Sequence, residues 1–187
     1  MDNILETRVQ GKVMEVIRWR FSNPELIEDP RLSNYIYNIN PSLASIWIVS
    51  GAYEGEVKSR VPAIYVYSED LSTTNLNPLH GYSIEVDDVD RVSGAMVDLD
   101  TGSVVILCEG ISRAQAGAIG WEVYNLLRQY APVLKREFNL FHISPKAFSS
   151  KNVSGGAEGG PPNKQYFATI TVPWFRLNAW ELEEPSP

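Results

Sequence analysis

At 187 residues, with 44% of them hydrophobic, the chain is long enough to bury one sizeable core and too apolar to belong among disordered segments. Its 16 basic and 23 acidic side chains leave a net charge of −7, which excludes a general phosphate-neutralising surface but not a nucleic acid that slides past without sticking. Cys108 is the only cysteine, so there is no internal disulfide and no cysteine metal cluster, and a reducing compartment is expected.

The opening MDNILETRVQGK lacks the basic region and apolar block of a secretory signal, and no apolar run approaches the ~18 residues that span a bilayer. Instead it reads as a helix. Asn3 and Glu6 have capping-box spacing ahead of a stripe formed by Leu5, Val9, Val13, Val16 and Ile17. Trp19 and Phe21 extend the apolar surface, and Pro24 stops the helix by biasing Asn23 away from the α region. Residues 25–45 read as irregular. SIWIV (Ser45–Val49) and VPAIYVYSE (Val61–Glu69) read as strands; in the second, Ile64 and Val66 share one face, Tyr65 and Tyr67 the other. Asp70–Ser83 reads as a long polar loop. Ser93–Gly110 reads as a hairpin with Gly102 in its turn and Val104–Cys108 as a buried strand.

Ser112 and Gln115 form a second capping pair, followed by Ile119, Val123, Leu126, Leu127 and Tyr130 at helical spacing, with Pro132 set to kink or end that helix. Leu140–Ser144 reads as a short strand. Lys151–Lys164, containing SGGAEGGPP, reads as a flexible tether inside a single domain spanning 1–187. Beyond it, NKQYFATITVPWFRLNAWEL alternates: Tyr166, Ala168, Ile170, Val172 and Trp174 point one way, Phe167, Thr169, Thr171 and Pro173 the other. Pro173 cannot donate to a ladder and belongs at an edge, bulge or break. Both faces are apolar, and an extended Gln165–Trp180 would span roughly 50 Å. Part of this ribbon is therefore expected to pair with or pack on another copy of the chain, with the preceding segment as the other arm of a long hairpin. The interface candidates are Tyr166, Ile170, Val172, Trp174 and Trp180. Two helices on one face of a mostly antiparallel sheet, with a long C-terminal β-hairpin, make an α+β fold.

Residues with chemical potential are few. His80 falls in a turn and His142 in a strand; Cys108 in VVILC reads as a small buried hydrophobe. Asp98, Asp100 and Glu109 match positions one, three and twelve of a calcium-binding loop, but Gly102 and Ser103 stand where an oxygen ligand and a glycine belong, which favours a hairpin. EVDDVD (Glu85–Asp90) supports three readings: a solvated loop, a divalent-metal site, or a patch that repels a polyanion. Tyr65, Tyr67, Trp174 and Trp180 could form a base-stacking platform, yet no basic stripe accompanies them, so core or protein contact is the better account.

The layout as a whole resembles the tail terminator proteins of long-tailed bacteriophages. The resemblance rests on the opening helix Ile4–Trp19, the strand VPAIYVY, the strand-to-helix segment SVVILCEGISRAQAGAIGWEVYNLLRQ, and the final QYFATITVPWFRLNAWEL. Residues 22–60 and the acidic segment lie outside it. The resemblance implies a structural virion protein, not an enzyme, without cofactor or bound metal: a homohexameric ring that caps the tail tube, meets the head connector on its other face and lets DNA pass through the lumen. It also implies location in the virion neck, with assembly in the host cytoplasm. Glu85, Asp87, Asp88 and Asp90 are the candidate acidic lumen residues. The alternatives are another neck or tail-tube protein and, in different classes, a small metal-dependent enzyme or a peptide-binding module.

Overall fold

The computed structural model describes residues 3–51, 62–75, 83–87, 91–155 and 163–183. Helices α1 (Asn3–Ser22) and α2 (Arg113–Glu137) pack with a sheet built from β1 (Trp47–Ser50), β2 (Ala63–Asn75), β3 (Ser83–Asp87), β4 (Arg91–Gly110), β5 (His142–Ile143), β6 (Ala147–Gly155) and β7 (Asn163–Glu183). The path across the sheet is β1-β2-β4-β7-β5, with β3 added to β4 and β6 added to β7. All of these pairs are antiparallel except β1 with β2. The fold is α+β, and β6 with β7 forms the expected C-terminal hairpin.

The centre of the sheet is the pair β4–β7, in continuous register from Ser93↔Glu183 to Gly110↔Tyr166. One half of this ribbon is core. Val104, Ile106 and Cys108 of β4 and Ala168, Ile170, Val172 and Trp174 of β7 share a face with Ile64 and Val66. Val9, Val13, Ile17 and Phe21 of α1 and Ile119, Val123, Leu126 and Leu127 of α2 close over that face. Both amphipathic stripes are the ones the helical spacing predicts. The N-terminus of α2 is capped as expected: Ser112 Oγ accepts from Gln115 N at 3.1 Å, while the Gln115 side chain accepts from Ile111 N at 2.7 Å. The helix runs through Pro132 to Glu137, and just beyond its C-cap Phe138 the φ of 50° at Asn139 lets Leu140 N reach back to Lys135 O at 2.9 Å.

Between the helices lies a buried ion pair. Arg20 Nε donates to Glu122 Oε1 at 2.7 Å, and both side chains are almost completely enclosed. The remaining capacity of Glu122 is taken by the backbone N–H of Glu28, at 3.2 Å to Oε2. Glu28 in turn accepts from Gln129 at 3.1 Å and lies 3.5 Å from Arg20 Nη2. This network fixes the irregular segment after α1 against α2. A second polar clamp uses Gln10, which donates to Ser50 Oγ and Val66 O and accepts from Ser68 Oγ, tying α1 to β1 and β2.

Three expectations need correction. Ser93–Gly110 is not a hairpin about Gly102; it is one continuous strand. Gly102 is there because the Trp174 ring of its cross-strand partner lies over it: a Cβ at Gly102 would stand 2.5 Å from the indole. The strand before β4 is β3, and the two pair from Ser83↔Ala95 to Asp87↔Arg91. The polar stretch from Asp70 begins as strand, since β2 continues to Asn75 after a register shift between Glu69 and Ser72. Ladder pairing with β4 offsets the low strand propensity of those side chains. Finally, the tether is shorter than 151–164: Lys151–Gly155 and Asn163–Lys164 are paired strand, and 156–162 lie outside the described residues.

Replacing Gly102 with Val should destabilise the fold by about 1–3 kcal/mol, the usual cost of overpacking, read as a lower urea midpoint at unchanged slope. Glu122→Ala should cost more, about 3–5 kcal/mol, because it strands a buried guanidinium. A double variant Arg20→Met/Glu122→Leu should recover most of that loss in the same titration.

Candidate functional site

The far half of the ribbon is where the chain offers something other than core. Among residues with described side chains, the hydrophobic core reaches no further than Trp174 on β7 and Val104 on β4. Yet β7 continues to Glu183 and β4 begins at Arg91. At ~3.3 Å per residue, Phe175–Glu183 adds roughly 30 Å of strand. The transition between the halves is marked on three adjacent strands. The bulge of β2 between Glu69 and Ser72, Gly102 on β4 and Pro173 on β7 all fall at one level of the sheet. A bulge increases local twist and bends its own strand, here β2.

Pro173 also shows how the hydrogen bonds of β7 are divided. Lys146 N donates to Thr171 O at 2.9 Å, Ser144 N to Pro173 O at 3.4 Å and Phe141 N to Phe175 O at 2.8 Å. Odd-numbered residues of β7 therefore turn their backbone groups away from β4. The missing N–H of Pro173 falls on that outer side, between the last pair of β6 and the first of β5, so the β4 ladder is untouched. Because the β4–β7 register never slips, the same parity holds to the end: Leu177, Ala179, Glu181 and Glu183 also point outward. Among the described residues no strand pairs with β7 on that side beyond Phe175. The result is a recess bounded by β5, with half-exposed Phe141 and Leu177 at its base. Lys135 Nζ stands 5.9 Å from the ring of Phe141, and Lys146 Nζ, level with Thr171, 5.7 Å from the ring of Phe175. The ring of His142 also tilts against Phe175 at 5.7 Å.

The interface candidates separate on this map. Ile170, Val172 and Trp174 are buried inside the single chain, at 0%, 1% and 0% exposure, so they are not a surface for a second copy. Their stripe is apolar because α1 and α2 cover it, a cover the alternation alone could not reveal. Tyr166 is half-buried at the end of the β4–β7 pairing. Trp180 lies on the far half of β7 opposite Met96, and its side chain is outside the described set. The opposite sheet face is also closed in its first half: Tyr65, Val105 and Phe167 are buried. Tyr65 donates its hydroxyl to Glu109 Oε2 at 3.0 Å. Neither Tyr65 nor Trp174 is thus available for base stacking. Burial and the neighbouring Glu69 carboxylate push the Tyr67 phenol up.

Of the acidic candidates, Glu85 and Asp87 sit on β3, paired with Ser93 and Arg91, so that part of EVDDVD is strand and not loop. Asp88 and Asp90 lie outside the described residues, as does His80. Asp98, Asp100 and Glu109 occupy one extended strand, on which the first and last are roughly 36 Å apart, too far to cradle one cation. Among the described residues no group of three or more His, Cys, Asp or Glu could hold a metal ion, and no helix is long and apolar enough to cross a membrane. The recess itself went unread in the sequence, because an open edge depends on where β5 stops. The outward parity of Leu177 and Ala179 has no compositional signature.

No protein-family model matches the chain, and no curated protein matches it.

Cys108 is completely buried, and desolvation pushes its thiol well above the ordinary range. Because the folded-state value is raised, the thiol stays protonated at pH 8–9, where a free cysteine begins to ionise. An aromatic disulfide reagent should therefore leave the native protein unlabelled at pH 8.5 and titrate one thiol after denaturation. Rapid labelling of folded protein would show the strand to be open.

Proposed function

We propose that the chain is a structural ring subunit of the neck of a long-tailed bacteriophage, the terminator that caps the tail tube and joins it to the head connector while DNA passes through the lumen. The observation that carries this reading is the far half of the β4–β7 ribbon. Among the described residues it continues past the last core side chains, Trp174 and Val104, has no strand paired with β7 beyond Phe175, and carries β3, with Glu85 and Asp87 in its sequence, on its other side. A strand edge left unpaired over such a length is suited to reach a neighbour.

The layout supports the same reading. An opening helix, the strand β2 that contains AIYVY, a strand β4 leading directly into the long helix α2, and a closing hairpin are the features on which the resemblance rests. The interface assigned to Ile170, Val172 and Trp174 is replaced by the far half of the ribbon. Glu85 and Asp87 remain the candidates for facing DNA, because carboxylates along a channel keep a polyanion from binding its wall. Function in this reading is geometric: heterologous contacts whose rotation closes give a ring, and a ring seated on a tube ends its growth.

Negative-stain microscopy of the purified chain mixed with tail-tube subunits should show tubes of limited length with a ring at one end. Tubes that grow equally long with and without the chain, and never carry it, would exclude the terminator role. Incorporation along the whole tube would identify a tube protein instead.

A further inference from the structure

We propose that the solvent face of α2 is a docking surface for a protein partner that presents an acidic, partly apolar segment. This surface is separate from the far half of the ribbon, and its docking role holds whether or not copies of the chain form a ring.

Charge is distributed unevenly along the chain. The protein as a whole carries −7, yet between Gly110 and Glu181 its only acidic residues are Glu122, Glu137 and Glu158. On α2 both carboxylates are already committed. Glu122 is buried against Arg20, and Glu137 lies 3.8 Å from Lys12 Nζ of α1. The basic side chains of the helix have no such partners. Among the described residues Arg128, Lys135 and Arg136 make no ion pair, although the chain has carboxylates in excess.

Two of these cations lie against aromatic rings instead. Arg128 Cζ stands 5.9 Å from the ring of Tyr124, and Lys135 Nζ 5.9 Å from that of Phe141. Tyr124 in turn stacks on Trp121, with centroids 5.6 Å apart and planes at 16°. Trp121, Arg128 and Lys135 recur every two turns, so they fall on one line at intervals of about 10 Å. Trp121 is 55% exposed and Phe141 64%, which leaves a large aromatic area in water at both ends of that line. Beside Arg128 the surface dips into a shallow recess of about 300 Å³ lined by Asn125, Arg128 and Gln129. Gln129 is held there by donating to Glu28 at 3.1 Å, and the Glu28 charge is answered by Arg20 at 3.5 Å. A guanidinium flanked by two amides suits a carboxylate, whose two oxygens fit the arginine fork.

This composition selects the partner. Trp, Tyr and Arg dominate the binding energy of protein interfaces, and here the three stand in one stack. An acidic segment supplies the carboxylates the stripe lacks, one of them in the recess, while its apolar side chains cover Trp121 and Phe141. A nucleic acid fits less well: the stripe offers few cations over its length, and a chain of −7 repels a long polyanion.

A displayed library of short random peptides, selected on the full-length chain, tests this with no partner in hand. Enriched peptides are expected to combine Asp or Glu with aromatic or aliphatic residues. By fluorescence anisotropy they should bind Arg128→Gln and Trp121→Ala at least about tenfold more weakly than wild type, the usual effect of losing a charged hydrogen bond or an aromatic anchor. Arg31→Gln, whose side chain is already paired with Asp29, serves as the control and should bind as wild type does. Circular dichroism checks that each variant folds. Replacing the acidic residues of a selected peptide by their amides needs no protein variant and should weaken binding by a similar factor. Enrichment without an acidic bias, or peptides that bind both variants as tightly as wild type, would overturn the proposal. Oligothymidylate that binds more tightly than the best peptide, and is lost in the same two variants, would assign the face to single-stranded nucleic acid and overturn it equally.

Discussion

The unbroken pairing of β4 with β7 is the constraint from which the rest of the molecule follows. Its register, from Ser93↔Glu183 to Gly110↔Tyr166, contains no bulge, so side-chain face and hydrogen-bond direction are fixed together along the whole ribbon. A slip of one residue would turn Ile170, Val172 and Trp174 out of the core and turn the open backbone groups of the far half inward. Side-chain packing in the covered half therefore sets hydrogen-bond geometry in the uncovered half. The packing of Trp174 over Gly102 sits at the junction and favours that register, because the indole occupies the space a Cβ at Gly102 would need.

The two halves of the ribbon obey different physics. In the first, α1 and α2 remove a face of β4 and β7 from water, and the stabilisation is that of burial, at about 25 cal/mol per Å² of apolar surface. The Arg20–Glu122 pair adds little net energy of its own, since desolvation offsets attraction, but it discriminates against any other seating of the helices. In the second half, the ladder between β4 and β7 supplies order without a described core beneath it. Such a segment is stable only as far as its backbone bonds and neighbours hold it, which places it among the parts of a fold that gain most from a partner.

Legibility in the sequence followed the range of the interactions. Both helices could be read residue by residue, because Ser112, Gln115 and the stripes at Val9–Ile17 and Ile119–Leu127 act within a few turns. Alternation along Tyr166–Trp174 was equally plain, and it correctly separated two faces. What it could not show was which face is covered, since that depends on helices more than thirty residues away; a buried stripe was thus expected to await another copy. Gly102 misled for a related reason. A glycine flanked by Asp100, Thr101 and Ser103 has turn chemistry in isolation, and only the indole across the ladder explains it as strand. The recess beyond β5 was invisible for a third reason: it is defined by a strand that ends.

These distinctions bear on how a chain with so few chemically distinctive side chains can act. His142 is tilted against Phe175, Cys108 is sealed in the core, and Glu109 is enclosed beside Tyr65. What the described backbone offers is placement: the short strand β3 on one side of the ribbon and, among the described residues, an edge of β7 with no paired strand beyond Phe175 on the other. Backbone hydrogen bonds across an edge are individually worth about 1 kcal/mol net, too little for an isolated pair of subunits to hold tightly. Closure changes that balance, because the last subunit of a ring makes two contacts for one loss of rotational and translational freedom. In the proposed ring, weak contacts would therefore favour a closed assembly over a loose dimer.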